Sequence, residues 1–162
     1  MFIKQSELFR NLGHDFVKEV MENSEKESMA SGYVLFFEGQ AATHFYTLIK
    51  GSVRLMAGET GRSVFMLNHT GESFGWSSLV GRDTYSATAE TMTPASVVKI
   101  DRDAFERTCK KYPEDGMLFM KHLAALLGRR LLRGYDMVEA SLGSDEYRVY
   151  GTGQVQEMAI EE

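Results

Sequence analysis

An antiparallel β roll or sandwich with helices at both ends is the fold class this sequence predicts. Three observations carry it. About eight short strand-like runs fall between Ser28 and Asp101, bounded by glycines and other turn residues. Helical spacing of apolar residues precedes that region and returns after it, the last stretch being unusually long. With 162 residues, 43% hydrophobic and 25% charged, the chain has the size and composition of one globular domain with a core of its own.

Leu8, Phe9 and Leu12 share a helical face, so Ser6 to Leu12 reads as a short helix stopped by Gly13. A second short helix is expected from His14 to Glu22, where Phe16, Val17, Val20 and Met21 recur at helical spacing. Asn23-Ser24 breaks that pattern. From Ser28 the period becomes two. Gly32 to Phe37 is β-branched and aromatic and leads into the turn Glu38-Gly39-Gln40. His44 to Lys50 is a strand, and Gly51 joins it tightly to Ser52–Ala57. Gly58 to Gly61 is a hairpin-type turn before the strand Ser63 to Asn68. Gly71 to Ala89 (GESFGWSSLVGRDTYSATA) follows, and Ser96 to Asp101 closes the β region after the Thr93-Pro94 turn.

Asp101 is placed to cap a helix running through Phe105 and Cys109 to Tyr112, which Pro113 ends. A long helix is expected from about Glu114 to Leu142. Met120, Ala124, Leu127, Leu131, Tyr135, Val138 and Leu142 follow one another at steps of three and four, as in a seam against another helix. A helix of about 28 residues is roughly 42 Å long, more than a small roll covers. A homodimer through this helix is therefore expected. Residues 1–142 form the domain, and 143–162 read as a polar tail.

The net charge of −5 argues against non-specific nucleic-acid binding. Cys109 is the only cysteine, which excludes an internal disulfide and suits a reducing compartment. No signal peptide and no apolar run long enough to cross a membrane is evident, so a cytoplasmic protein is expected. His14, His44, His69 and His122 are scattered. His69 with Glu72 comes nearest to a metal pair and lacks further ligands. No nucleophile elbow or phosphate-binding glycine loop occurs. Neither an enzyme nor a metal or cofactor is expected. Within Gly71 to Ala89, the glycine break and the serine hydroxyls around one helical turn do fit an anion-binding helix start.

The element order resembles the cyclic nucleotide-binding domain of the catabolite activator and Crp/Fnr regulators. The residues carrying the resemblance run from Leu8 to Leu132. They include Leu8-Phe9, Gly32, Phe37-Glu38-Gly39, Phe45-Tyr46, Leu48-Ile49-Lys50-Gly51, Val53, Gly71, Phe74-Gly75 and Leu79. Ser86-Ala87-Thr88, Thr93-Pro94, Ile100-Asp101-Arg102, Phe105, Pro113 and Arg129-Arg130-Leu131 complete the set. The resemblance implies a mainly β fold: an eight-stranded antiparallel jelly roll, related to the cupin double-stranded β-helix, with flanking helices and a long C-terminal helix.

It also implies a phosphate-binding cassette made by Phe74, Gly75, Trp76, Ser77, Ser78 and Leu79 with Tyr85, Ser86, Ala87 and Thr88. In the family a glutamate of the cassette binds the ribose and an arginine pairs with the cyclic phosphate. Here Trp76 stands at the glutamate position and Tyr85 at the arginine position. Arg82 is a candidate replacement for that arginine, and Tyr135 for stacking on a ligand ring. The family's DNA-binding regulators continue into a helix-turn-helix, and no recognition helix can be placed after Leu142. Direct DNA binding is therefore not expected. The resemblance implies a stand-alone sensor that takes a small anionic or nucleotide ligand other than, or more weakly than, cyclic AMP. It would act on an unidentified protein partner. The alternative is a dimeric interaction module whose pocket is filled by Trp76 and Tyr85, and the remote alternative is a cupin-like metalloenzyme.

Overall fold

A computed structural model describes residues 6–58 and 62–142. After a run of turns comes helix α1 (His14–Glu22). The strands follow: β1 (Ser24–Met29), β2 (Val34–Phe36), β3 (His44–Lys50), β4 (Val53–Ala57), β5 (Arg62–Leu67), β6 (Ser73–Phe74), β7 (Thr88–Thr91) and β8 (Ala95–Asp101). A four-residue 3-10 helix, Trp76–Leu79, lies between β6 and β7. Helices α2 (Arg102–Lys111) and α3 (Pro113–Leu142) close the described chain. Two four-stranded sheets result, ordered β1-β8-β3-β6 and β2-β7-β4-β5, and every pairing is antiparallel. This is the predicted mainly β roll with flanking helices.

The register shows why β3 and β8 read so clearly as strands. Each is apolar on both faces. Phe45, Val98 and Ile100 pack outward with Phe9, Phe16, Phe105 and Phe119 in a cluster under the helices. Tyr46, Leu48 and Val97 point the other way and join Phe36, Val53, Leu67, Phe74 and Tyr85 between the sheets. A strand covered on both sides loses its polar alternation. Strand β1 (SEKESM) is the reverse case. It sits at the sheet edge and half of its residues are charged, with Glu27 held 3.0 Å from Lys99 of β8. Charged edge strands resist pairing with other chains.

Gly51 makes the β3–β4 link that the sequence assigned to it. Its φ is +90°, and a Cβ there would stand 2.4 Å from the Pro94 carbonyl oxygen. Asp101 caps α2 as expected, its carboxylate accepting from the Ala104 amide at 2.8 Å.

Three expectations are corrected. Ser6 to Leu12 is a series of turns, not a helix, although Leu8, Phe9 and Leu12 are buried as their spacing suggested. Asn11 takes a φ of 60°, which an α-helix excludes. The first strand begins at Ser24 rather than Ser28. Pro113 opens α3 instead of merely ending α2, because its missing N–H costs nothing at the first helical position.

Two compact units are present, Met1–Leu127 and Gly128–Glu162. In the first, the proximal part of α3 is fastened to the N-terminal segment. The Gly13 amide donates to Asp115 at 2.7 Å, and His122 Nδ1 lies 3.0 Å from the Leu8 carbonyl oxygen. In the second, the distal part of α3 exposes Leu131, Leu132, Tyr135 and Met137. No helix among the described residues is long and apolar enough to cross a membrane.

Candidate functional site

The cassette begins where β6 stops. Gly75 adopts a left-handed conformation with φ +75°, which glycine alone takes without penalty. A Cβ at this position would lie 3.1 Å from the Tyr46 ring and 3.3 Å from the His44 carbonyl oxygen. The chain is thus pressed against β3 as it turns away from it. It then makes the single 3-10 turn Trp76–Leu79 and returns through Gly81 to β7.

An anion-binding helix start would need the two serines of this turn to have free hydroxyls. Both are instead buried and engaged within the cassette. Ser78 Oγ donates to the Gly75 carbonyl at 3.1 Å. Ser77 Oγ accepts from the Ser86 amide and lies 3.3 Å from Ser86 Oγ.

Tyr85 occupies the interior. It is 4% exposed, and its ring stacks on Phe36 with centroids 3.8 Å apart and planes 19° apart. Phe36 in turn stacks on Tyr46 and Phe74. The Tyr85 hydroxyl donates to the His44 carbonyl at 2.7 Å and accepts from the His44 amide at 3.1 Å. In an antiparallel strand the N–H and C=O of one residue point to the same side. On that side of β3, the β6 pairing covers only Tyr46 and Thr47. The phenol takes the place of a strand partner for His44, just past the point where Gly75 diverts the chain.

Burial raises the pKa of Tyr85, and burial with the neighbouring Tyr85 raises that of Tyr46. Both phenols are neutral at physiological pH. Burial, and then the Lys99 charge, lowers His44 below its ordinary 6.5. Its ring is therefore uncharged at neutral pH, and the 3.9 Å approach of Nε2 to Asp101 is not an ion pair.

What remains open between Phe36, Trp76, Ser77, Tyr85, Ser86 and Ala87 is about 20 Å³, room for a single water. Trp76 borders this space and packs half-buried against the cluster under the helices, as does Leu79. Of Trp76 and Tyr85, Tyr85 belongs to the inter-sheet core and Trp76 does not. Arg82 is exposed, and its backbone amide donates to the Ser77 carbonyl. Ala87 packs against the inter-sheet core, and Thr88 Oγ1 accepts from the Glu38 amide at 2.9 Å. Tyr135 belongs to the second unit and is exposed there.

The structure adds His44, Phe36 and Tyr46 to the site. Tyr46 lies in a stretch that carries the resemblance, but no motif marks any of the three as a site residue, because each acts through a contact to a distant part of the chain. Elsewhere, Glu72 accepts from the Asn68 and His69 amides and so braces a turn. Among the described residues no three His, Cys, Asp or Glu side chains are placed to share a metal ion. Cys109 is half-buried, and burial pushes its thiol up to about 11, so it is an unreactive thiol rather than a nucleophile.

Comparison with known proteins accords with this fold. The family model described as "Cyclic nucleotide-binding domain" matches residues 26–112. The human cGMP-dependent protein kinase 2 is 30% identical over 118 residues, covering 70% of this chain. The match spans only 15% of the kinase's own length. Among solved structures, a protein from Geobacter metallireducens GS-15 whose name proposes cyclic nucleotide binding superposes with a TM-score of 0.70 at 26% identity, covering 79% of this chain and 94% of that one. The catabolite activator protein of Thermus thermophilus gives a TM-score of 0.68 at 25% identity, covering 84% of this chain and 63% of that one. The sensor domain of the transcriptional regulator DNR from Pseudomonas aeruginosa, at 23% identity and a TM-score of 0.67, shares the fold over 80% of this chain and 91% of that one.

Proposed function

Because the chain belongs to the cyclic nucleotide-binding domain family, we propose that it is a regulatory domain whose cassette is occupied by its own Tyr85 in place of a cyclic nucleotide. One observation carries this reading. The Tyr85 ring is stacked and its hydroxyl is hydrogen-bonded to both backbone groups of His44, leaving about 20 Å³. Small-molecule sites measure roughly 300–1,000 Å³. A nucleotide would have to expel the ring first, and the free energy of doing so would be subtracted from its affinity. No arginine lines the cavity to meet its phosphate, a charge-assisted contact worth about 1.5–3 kcal/mol. The serine hydroxyls are already engaged with the cassette itself.

Thermal unfolding of the protein with cyclic AMP or cyclic GMP tests this directly. No change in melting temperature is expected with either at millimolar concentration. A ligand at a hundredfold excess over its Kd stabilises by about 2.7 kcal/mol. A melting point that climbs with nucleotide concentration would mean that the ring yields and the cassette is a working sensor.

A domain without a small ligand must pass its signal through protein contacts. The exposed apolar side chains of α3 support pairing with a second copy. They are Met117 and Met120 in the first unit, and Leu131, Leu132, Tyr135 and Met137 in the second. Unpartnered apolar residues in such number on one helix are characteristic of interaction surfaces. Sedimentation at micromolar concentration is expected to show a dimer, which Leu131→Glu dissociates. A wild-type monomer at about 100 μM would remove the pairing while leaving the filled cassette untouched.

A further inference from the structure

The segment Gln40–His44 lies between the cassette and the start of α2, and it is hydrogen-bonded to both. On the cassette side, the Gly39 amide donates to the Tyr85 carbonyl at 2.9 Å and the Tyr85 amide to the Gln40 carbonyl at 2.9 Å. The Ala42 amide donates to the Asp83 carbonyl at 2.8 Å, and Ala41 and Thr84 form an isolated antiparallel bridge. The Tyr85 hydroxyl completes this side with its two bonds to His44. On the helix side, the Arg102 amide donates to the Thr43 carbonyl at 2.9 Å, and Arg102 Nη1 reaches the Ala42 carbonyl at 3.3 Å. His44 pairs in register with Asp101, the residue whose carboxylate caps α2.

We infer that the Tyr85 hydroxyl is an internal tether that couples the cassette to the first turn of α2 through the Gln40–His44 strap. The physical warrant is that bonds to the cassette and bonds to α2 fall on adjacent residues of one short segment and meet on Ala42. Ala42 accepts from α2 through its carbonyl and donates to the cassette through its amide. Thr43 receives the first amide of α2, and its neighbour His44 has the amide and carbonyl that Tyr85 satisfies. Removing the phenol oxygen strands the two His44 groups on a part-buried strand end. The chain can regain partners for them by swinging His44 toward water. That movement pulls on the Thr43 carbonyl, and with it on the start of α2.

The cassette loop and α2 therefore open together rather than separately. In the filled cassette the tether is always present, so α2 is held in one arrangement without a ligand. Strand β4 pairs with β5 and β7 and not with the strap, so these two strands, β4 and β5, lie outside this opening unit.

This coupling rests on the reading that Tyr85 fills the cassette, and its test uses no nucleotide, so the two stand or fall by different measurements. Tyr85→Phe keeps the ring and its stack on Phe36 and deletes only the hydroxyl. Native-state amide exchange reports opening residue by residue. In this variant the amides of Ala42, His44, Arg102 and Ala104 are expected to exchange about 10-fold faster than in the wild type, as for the loss of a part-buried hydrogen bond. The amides of β4 and β5 are expected to change less than about twofold on the same argument.

Faster exchange confined to His44 and its immediate neighbours, with Arg102 and Ala104 unmoved, overturns the coupling. A uniform acceleration across the fold overturns it as well, because the hydroxyl would then stabilise the whole domain and not one unit. Arg102→Gln supplies the reverse direction. It cuts the guanidinium link to Ala42 from the helix side and is expected to speed exchange at Ala42 and at Tyr85. Unchanged exchange at Tyr85 in that variant counts against the strap.

Discussion

Tyr85→Ala is expected to lower the unfolding free energy by about 3–5 kcal/mol, the cost of deleting a large buried aromatic side chain. Two losses add. The ring leaves a column in which Phe36 stacks on Tyr46, Phe74 and Tyr85. The His44 amide and carbonyl lose their common partner. One effect opposes them. The new cavity would be lined by the hydroxyls of Ser77 and Ser86 as well as by the His44 backbone, so it is polar enough to take up water. The value should therefore fall toward the lower end of the range, with Tyr85→Phe costing less because the stack survives. Urea denaturation of both variants measures this. A loss below about 1 kcal/mol for Tyr85→Ala, the size of an ordinary surface change, would show that the ring is a loose occupant and not part of the core.

Much of this architecture was legible in the sequence, and the parts that were not have a common cause. Strands β3 and β8 announced themselves because both faces are covered, and Gly51 and Gly75 marked sharp turns that the backbone makes. The cap at Asp101 was readable because its partner Ala104 is three residues away. Strand β1 began earlier than its pattern suggested, since SEKESM at a sheet edge carries no apolar alternation. Leu8, Phe9 and Leu12 were correctly assigned to the core and wrongly to a helix. Burial follows from side-chain type, whereas the φ of 60° at Asn11 is a backbone choice that the apolar spacing does not encode.

The cassette shows the same division. Its outline, a glycine break and one helical turn, is local and was foreseen. Its contents are set by long-range contacts. Tyr85 meets a backbone carbonyl 41 residues away, and no pattern around either residue signals that pairing. The serines look available in the sequence because hydroxyls beside a helical turn usually are. Only the fold shows that Gly75 and Ser86 have claimed them.

The double variant Trp76→Glu with Tyr85→Arg is expected to exchange stability for ligand binding. Without ligand, a guanidinium at position 85 would face the His44 carbonyl and the hydroxyls of Ser77 and Ser86, with no carboxylate of the wild-type cassette in the cavity lining. The carboxylate introduced at position 76 borders the same cavity, but desolvating two charges where a stacked ring stood is costly even when they pair, so the apo variant should melt well below the wild type. A cyclic phosphate brings an anion to the guanidinium and frees the introduced carboxylate to accept from a sugar hydroxyl. Cyclic AMP or cyclic GMP should therefore raise the melting point of the variant and leave that of the wild type unchanged. The difference between the two titrations isolates the side chains from the backbone, because both proteins share Gly75 and the turn Trp76–Leu79. If the variant folds and neither nucleotide stabilises it, the obstacle lies in the backbone itself. The close approach of Gly75 to His44 and Tyr46, at 3.1–3.3 Å for an added Cβ, is where the cassette would then be too tight to admit a phosphate.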